Sequence, residues 1–485
     1  MKSGFIEGEN RHQSTLFPER LDDYIAEDSA VRVIDVFIDD LDISGLGFKT
    51  VPSDTGRPGY HPRLMLKIYV YGYLNRVQSS RRLEGEAQRN VELMWLSGRL
   101  APDFKTIANF RKDNGEAIRL VCREFVMLCR KLNLFADAFV AIDGSKFKAV
   151  NNRDRNFTKA KMKRRLQQID ESIERYLGQI ASADRQETAV ASDKVSRLED
   201  KIAALKKEMD RLKKLEVRML EAADQQISLT DPDARSMASS GRGTGMVGYN
   251  VQAAVDARHH LIVTHEVTNV GHDRAQLFNM ASQAKEAIQA VDPDETVELT
   301  VVADRGYFKG EEILDCDQAG ITTYLPKPQT SGSVKKGLFS KRDFIYRAEE
   351  DEYECPGGER LIWRFETDEK GQKIHKYWSS ACPGCPIKSQ CTTSQYRRVS
   401  RWEHEAVIAA LEQRLEQQPE RMRARRETVQ HPFGTIKSWM GSTHFQMRTL
   451  ERVSTEMSLH VLAYNMKRMI SLFGVTGLIA KMQTA

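Results

Sequence analysis

The stretch from Phe139 to Phe147 places a carboxylate directly after an apolar run. Phe139–Ile142 are apolar and favour β-structure, and Asp143, Gly144 and Ser145 follow them. Such a pattern is typical of a buried strand that ends at a site. An Asp in an apolar run is costly to bury unless it is paired or binds a metal. The alternative is a turn at Asp143, because Asp-Gly is a strong turn signal.

A second apolar run ends in a carboxylate in the same way. The strand predicted from Val297 to Ala303 leads directly into Asp304. Because chemistry gathers at the ends of strands in an open sheet, two such ends favour a site over two unrelated turns. Further strands are predicted at 247–255, 261–267 and 322–325. The pattern predicts a mixed sheet with flanking helices, in the α+β or α/β class.

The chain before this sheet is predicted to be helical throughout. Residues 1–136 contain several short segments with apolar residues at helical spacing, and some of these segments have basic ends. Such a set is typical of a helical bundle, and it also suits a helix-turn-helix DNA reader. The sequence does not single out a recognition helix, so both interpretations stay open.

A long helical pattern interrupts the predicted sheet at residues 158–240. Its apolar residues fall on one stripe before a polar break at 182–192, and they recur every three or four positions after it. They are Leu166, Ile169, Ile173 and Ile180 before the break, and Val195, Leu198, Ile202, Leu205, Met209 and Leu212 after it. This seam, flanked by Glu, Lys and Arg, predicts an inserted antiparallel coiled-coil hairpin. Dimerisation, folding on itself and a spacer role stay open for it.

A glycine-rich loop, Gly241–Gly245, follows the predicted hairpin. It lacks the Lys-Ser/Thr ending of a phosphate-binding loop, and no strand leads into it. These two features exclude the usual nucleotide-binding motif. The loop is predicted to be a hinge that returns the chain to the sheet.

Four of the seven cysteines fall within one short region. Cys355 stands alone on a Pro-Gly-Gly turn, while Cys382, Cys385 and Cys391 follow in a second Pro/Gly-rich segment. Four thiolates can close a tetrahedral Zn²⁺ site of the structural kind, which leaves no open position for catalysis. The alternative is four reduced thiols without a metal.

The composition limits the class of protein to which the chain can belong, but it does not identify a function. The 485 residues are 40% hydrophobic and 29% charged, with a net charge of only +5. Basic residues cluster at 159–165, 397–401 and 421–426, and each cluster is either a phosphate-binding face or a solvated helix face. The first residues contain no secretory signal, and no apolar stretch has the ~20 residues of a membrane span. We therefore expect a cytoplasmic protein without a membrane partner.

Several motifs along the chain resemble those of bacterial insertion-sequence transposases of the DDE type. They are Ala141–Lys146, Ala303–Tyr307, Val429–Lys437 and Glu456–Asn465, together with the helical region at about 15–115 and the four cysteines. The resemblance implies an RNase H-like catalytic fold that uses Mg²⁺ or Mn²⁺. It also implies cleavage at the transposon's terminal inverted repeats, joining to target DNA, and a homodimer on DNA.

The resemblance assigns roles to individual residues. Asp143 and Asp304 are expected to bind the metal ions, and Gln430 occupies the position where the family has its third acid, a Glu. Glu427, about one helical turn away, is the candidate to replace it. The residues expected to contact DNA phosphates are Lys146, Arg305, Arg426 and Lys437.

Two hypotheses follow from the neutral side chain of Gln430. In the first, the chain is a transposase by descent that is impaired or relies on Glu427; in the second, it binds the transposon ends without cutting them. A third hypothesis, from another class, is a zinc-bearing coiled-coil interaction protein. The predicted domains are a helical region at 1–136, catalytic strands at 137–157 and 241–330, the hairpin at 158–240, the cysteine module at 331–400, and C-terminal helices at 401–485 that complete the catalytic core. The first of these C-terminal helices is predicted from Val407 to Gln430.

Overall fold

The computed structural model describes eight parts of the chain. They are residues 20–49, 59–152, 155–183, 189–222, 224–237, 245–289, 298–328 and 332–484. The predicted hinge at Gly241–Gly245 lies outside these parts except for its last residue, and so does Val297 at the start of a predicted strand. Among the described helices, none has the length and apolarity needed to cross a bilayer.

The front of the chain is helical, as the sequence predicts. Its helices are α1 (Ala30–Asp40), α2 (Pro62–Leu74), α3 (Ser80–Arg89), α4 (Val91–Ser97), α5 (Phe104–Asp113) and α6 (Gly115–Lys131). Local sequence signals explain where two of these helices begin. Pro62 occupies the first turn of α2, and the Asp103 carboxylate caps α5 by accepting the backbone N–H groups of Lys105 and Thr106.

Strand β1 (Phe139–Lys148) leads into the inserted helices. Two short strands, β2 (Asn156–Thr158) and β3 (Gln226–Ser228), pair antiparallel on either side of helices α7 (Lys159–Ala183) and α8 (Ala189–Glu221). The two helices pack through part of the predicted seam, where Ile169, Ile173, Ile202 and Leu212 share one buried cluster. Their coiled-coil character stays a prediction.

The rest of the chain supplies the remaining strands and helices. They are β4 (Arg235–Met237), β5 (Met246–Asp256), β6 (Ile262–Thr268), α9 (Leu277–Gln289), β7 (Leu299–Val302), α10 (Gly310–Gln318), β8 (Ile321–Tyr324), β9 (Ile345–Arg347), β10 (Glu352–Glu354), β11 (Arg360–Glu369), β12 (Gln372–Trp378), β13 (Val399–Trp402), α11 (Glu405–Gln417), α12 (Arg421–Gly434), α13 (Leu450–Phe473) and α14 (Val475–Met482). A π-helical turn, Thr435–Trp439, extends α12.

The main sheet is mixed. Its order is β4–β5–β1–β7–β8, with β6 also paired to β5. Strand β5 runs antiparallel to β1 and β6, while β7 runs parallel to β1 and β8. Asp143 does not end its strand, because β1 continues to Lys148 and Asp143 pairs with Ala253 of β5. The turn interpretation of Asp143 and Gly144 is therefore wrong.

Two features differ from the sequence-based prediction. The cysteine region forms a second, antiparallel sheet in the order β13–β12–β11–β10–β9. The single helix predicted from Val407 to Gln430 is two helices, because α11 ends at Gln417 and α12 begins at Arg421. Pro419 lies between them, and the residue before a proline avoids the helical conformation.

Helix α13 joins the helical front to the main sheet. It is buried along most of its length and packs on α6, α2 and β6. The ring of Tyr73 in α2 lies 4.6 Å from that of His460 in α13, and the Asn465 side chain bonds both backbone groups of Ile262 in β6. One hydrophobic cluster therefore runs from α1 through the sheet to α14.

Candidate functional site

The two predicted aspartates meet where β1 and β7 separate. The strands pair only through Phe139–Ala141 and Thr300–Val302. Beyond that point β7 ends, and the Asp304 carboxylate caps a short 3₁₀ turn by accepting the Gly306 N–H at 2.7 Å. Asp304 thus follows the end of β7, as the sequence predicts, whereas Asp143 lies within β1 just beyond the point where the two strands separate.

Arg425 of α12 bridges the two aspartates. Its Nη2 lies 3.0 Å from Asp143 Oδ1 and 3.7 Å from Asp304 Oδ2. The Arg425 side chain is only 12% exposed, and its Nε has no hydrogen-bond partner among the described residues. Helix α12 is held over the site because Val429 packs against Ala141 and Val302. One guanidinium thus balances charge from two different strands.

A third carboxylate, Asp273, stands beside this pair. Its Oδ1 accepts hydrogen bonds from Asn250 Nδ2 at 2.8 Å and Gln252 Nε2 at 2.7 Å. A Cβ added to Gly144 would lie 2.7 Å from Asp273 Oδ1, and one added to Gly306 would lie 3.9 Å from Asp273 Oδ2. Glycine is needed at position 144 for this close approach, not for a turn.

The electrostatics of Asp143 reflect this setting. Burial raises the pKa of Asp143 to about 6; Arg425 opposes the shift, and the charges of Asp304 and Asp273 add to it. Burial and the same three carboxylates raise the pKa of Tyr307 well above its usual range. The Tyr307 hydroxyl stays protonated and donates to Gln252 Oε1.

Lys437 reaches β1 next to Asp143. Its Nζ donates to Ser145 Oγ at 2.6 Å and to the Lys146 carbonyl at 2.9 Å, and it lies 4.4 Å from the centre of the Phe147 ring. Burial lowers the pKa of Lys437, and Asp143 opposes this shift. Lys437 sits in the π-helical turn after α12, a distortion frequent at functional sites.

The other predicted DNA contacts lie around this centre. Arg305, next to Asp304, and Arg426, next to Arg425, are both exposed, while Lys146 is partly buried in β1. Arg426 is turned about 100° from Arg425 around α12, and it is Arg425 that lies between the aspartates. The role of Arg426 as a DNA contact stays a prediction.

The structure does not bring Gln430 or Glu427 to the aspartates. Both side chains are exposed, and within the described residues neither forms a hydrogen bond or ion pair with Asp143 or Asp304. Glu427 and Gln430 lie two and five positions beyond Arg425, which rotates them about 200° and 140°, respectively, around the helix. Glu427 instead lies near His260, whose pKa is lowered by burial and by His431 and Arg468, an effect that Glu427 opposes.

The four cysteines gather on the second sheet. Cys355 follows β10, the other three lie on or beside two 3₁₀ turns, and all four line one small cavity. A Cβ added to Gly357 would lie 3.6 Å from the Sγ atoms of both Cys355 and Cys385. Burial raises the pKa of Cys391; Arg397 opposes the shift, and the three other thiols add to it.

Neither the aspartates nor the cysteines form a finished metal site. In the part of the chain that the structure describes, no three His, Cys, Asp or Glu side chains are arranged to hold a metal ion as they stand. At the aspartates the physical reason is visible, because Arg425 lies between Asp143 and Asp304.

Sequence reasoning missed Asp273 and Arg425. The signal for Asp273 is weak: it lies five residues after the end of β6, whereas Asp304 lies two residues after the end of β7, and it precedes α9, which begins at Leu277. No comparable signal existed for Arg425, because α12 has basic residues on several faces.

Two family models match parts of the chain. Residues 19–113 match the Transposase domain (DUF772), and residues 354–470 match the Transposase DDE domain. The second match contains the cysteines, Arg425, Gln430 and Lys437, whereas Asp143 and Asp304 lie before it.

Other comparisons add little. No curated protein matches the chain by sequence. Among solved structures, piggyBac transposase in a synaptic complex with hairpin DNA is 9% identical, with 94% of this chain and 79% of that chain covered and a TM-score of 0.31. A likeness this weak does not bear on the function of this chain.

Proposed function

We propose, from the premise that the chain belongs to the DDE transposases, that it cuts insertion-sequence ends and joins them to target DNA at a centre built from Asp143 and Asp304. The carrying observation is the convergence of these two carboxylates, from separate strands, on one guanidinium. Metal-assisted phosphoryl transfer requires carboxylates that can share a cation, as Asp143 and Asp304 share the guanidinium here.

The strand order supports an RNase H-like catalytic core. Read from its antiparallel edge, the sheet runs β6–β5–β1–β7–β8, with the first three strands antiparallel and the last three parallel. This arrangement places Asp143 on the central strand and Asp304 after its parallel neighbour. Two side chains far apart in sequence thereby become neighbours.

The donor chemistry of the site fits Mg²⁺ or Mn²⁺. Hard carboxylate oxygens suit these ions, and Asp143 and Asp304 would hold them in the place that the guanidinium now shares. Bound metal would polarise the scissile phosphodiester and lower the pKa of the attacking water. Arg425 must first withdraw from Asp143, and its charge is then free to pair with a DNA phosphate.

We assign the third carboxylate to Asp273. Gln430 carries no charge and faces away, whereas the charge of Asp273 reaches Asp143 directly. The two amides on Asp273 Oδ1 fix the side chain and leave Oδ2 on the side of Gly306. Asp273 therefore supplies the negative charge that the family's third acid usually provides.

Basic residues around the centre complete the proposed mechanism. Lys437 anchors β1 beside Asp143, since its ammonium is bonded to Ser145 and to the Lys146 carbonyl. Arg305 and Arg426 are exposed and available to phosphates of the transposon end. The proposal includes a homodimer on DNA, acting in the cytoplasm, where free cysteines stay reduced.

We assign the cysteine cavity to a structural Zn²⁺. The donor chemistry suits Zn²⁺, because four thiols line one cavity. Burial, with the three neighbouring thiols, raises the pKa of Cys391. Ionised thiolates bound to Zn²⁺ would link β10 to the two 3₁₀ turns. The role is structural because four protein ligands leave no open position.

The test of the proposed function is cleavage by the purified full-length chain. Labelled duplex carrying the ends of the element that encodes the chain is incubated with Mg²⁺ or Mn²⁺. We expect cleavage by the wild type and a loss of about a thousandfold or more in Asp143→Asn and Asp304→Asn. The matched control is Asp317→Asn, which removes an exposed carboxylate of α10. Cleavage by both site variants at the wild-type rate would refute the assignment.

A second candidate function is DNA binding without cleavage. Gln430 favours it, because the position of the family's third acid is neutral. Tight binding of the labelled ends by a wild type that does not cut with either metal would establish this alternative.

A further inference from the structure

A groove at the base of the inserted helices concentrates positive charge. We call it the hairpin groove. It is lined by the chain around β2, by α7 and α8, and by the adjoining ends of β4 and β5, and it encloses about 760 Å³. Its charged side chains are the basic Arg155, Lys161, Arg164, Arg165 and Arg211 and the acidic Glu208.

Three of these five cations have no ion-pair partner in the part of the chain that the structure describes. Glu208 is paired with Arg211, whose Nη1 lies 2.9 Å from Glu208 Oε2. Arg155, Arg164 and Arg165 are exposed, and within the described residues none of them forms an ion pair. A solvated helix face usually interleaves both signs along one helix. Here cations from three chain segments converge on one concave surface, which costs self-repulsion unless an anion binds.

A buried amide points to the same conclusion. Asn156 lines the groove, is only 5% exposed, and its Oδ1 has no hydrogen-bond partner among the described residues. A buried polar atom without a partner is unusual and calls for a ligand or water. The amide can rotate to present its Nδ2 as a donor, because its two ends are interchangeable in shape.

Strand β1 connects the two aspartates to the hairpin groove. Lys148 lies five positions beyond Asp143 in β1, which is about 17 Å at roughly 3.3 Å per residue. The next residue, Ala149, donates its N–H at 3.1 Å to the carbonyl of Val247, which lines the groove. Along a DNA duplex, ~17 Å corresponds to about 5 base pairs at ~3.4 Å each.

We infer that the hairpin groove binds the phosphate backbone of duplex DNA about 5 base pairs or more from the bond cut at Asp143. This inference rests on the proposed function for the choice of DNA as the anion. The contacts are with phosphates and are independent of sequence, so the groove holds the duplex in place and does not read it.

The experiment measures binding of a fluorescein-labelled 30-base-pair duplex of arbitrary sequence to the full-length chain over a range of salt concentrations. In Arg164→Ala/Arg165→Ala, loss of two phosphate contacts should reduce the slope of log affinity against log salt by about 1.8 and weaken low-salt binding about tenfold. The matched control, Lys206→Ala/Lys213→Ala, removes the same charge from exposed positions of α8 that do not line the groove. It should keep the wild-type slope.

Each outcome is decisive. A reduced slope in the groove variant alone, with an unchanged melting temperature, supports the inference. Equal slopes in the groove variant and the control overturn it and leave the proposed function standing, because the wild type still binds DNA. A wild type that binds no duplex at low salt overturns both.

Discussion

The aspartate centre and the cysteine cavity are both groups of metal-type donors, but their charge is balanced differently. At the aspartates a guanidinium already occupies the place between Asp143 and Asp304. At the cysteines, burial and the three neighbouring thiols raise the pKa of Cys391, and among the described residues Arg397 opposes this shift. We infer from this difference that the aspartate centre folds without metal and must release its guanidinium to bind one, whereas the cysteine cavity depends on Zn²⁺ for its stability.

The cysteine cavity should therefore show the largest effect of metal loss. Cys382→Ser/Cys385→Ser removes two of four ligands, and we expect loss of about one Zn²⁺ per chain and of about 5 kcal/mol or more in the unfolding free energy of the second sheet. Zinc content and chemical denaturation measure the two. Cys122→Ser/Cys129→Ser, at buried thiols of α6, is the control for zinc content. If the purified wild type contains no zinc, the cysteine cavity does not depend on metal, and the contrast with the aspartate centre is wrong.

Removal of the internal cation should have the next largest effect. Arg425→Met leaves the two bridged carboxylates, Asp143 and Asp304, without their guanidinium, and we expect about 3 kcal/mol lower unfolding free energy in metal-free buffer. Mn²⁺ should then stabilise the variant more than the wild type, because no side chain competes for the site. Arg426→Met, the exposed neighbour, is the control. Equal stability and equal Mn²⁺ response in the two variants would contradict the bridging role.

The pH dependence of stability probes Asp143 itself. Burial raises its pKa from 3.8 to about 6, so the folded chain binds this proton more tightly than the unfolded chain. The carboxyl group therefore costs stability as the pH rises through this window, and Asp143→Asn removes the cost. In metal-free buffer, the variant should gain about 3 kcal/mol relative to wild type between about pH 4 and about pH 7. A difference that does not change with pH would show that burial has not shifted this group.

Asp273 should contribute less than either bridged aspartate. Asp273→Asn keeps an oxygen for the amides of Asn250 and Gln252 but removes one negative charge. We expect Mn²⁺ affinity, measured by calorimetry, to fall about tenfold, or about 1.4 kcal/mol. Asp317→Asn serves again as the exposed control. An unchanged affinity would exclude Asp273 from the metal-binding set.

The sequence predicted the parts of this centre that depend on local pattern. Asp143 and Asp304 were found because each follows an apolar run, and a buried strand is recognisable over a few residues. Arg425 depends instead on the rotation of α12 over the sheet. That helix has basic residues at 421, 423, 425 and 426, so its sequence does not indicate which arginine faces inward.

The strands of the second sheet were not predicted, because their sequence lacks a clear local pattern. These strands have mixed exposure rather than one clean apolar face, and Trp363 and Phe365 of β11 are 48% and 42% exposed. The strict alternation of a half-buried strand is therefore weak there. The cysteines were visible as a group, but the strands between them were not.

The smallest effects are expected at the two positions that the family pattern points to most directly. Gln430→Glu restores the usual acid, and Glu427→Ala removes the candidate replacement, yet both side chains are exposed and turned away from Asp143. We expect each change to alter Mn²⁺ affinity by less than about twofold, or ~0.4 kcal/mol. Cleavage of the labelled ends should change as little. A tenfold gain from Gln430→Glu would mean that α12 rotates when DNA binds, and the third acid would then belong to position 430 rather than to Asp273.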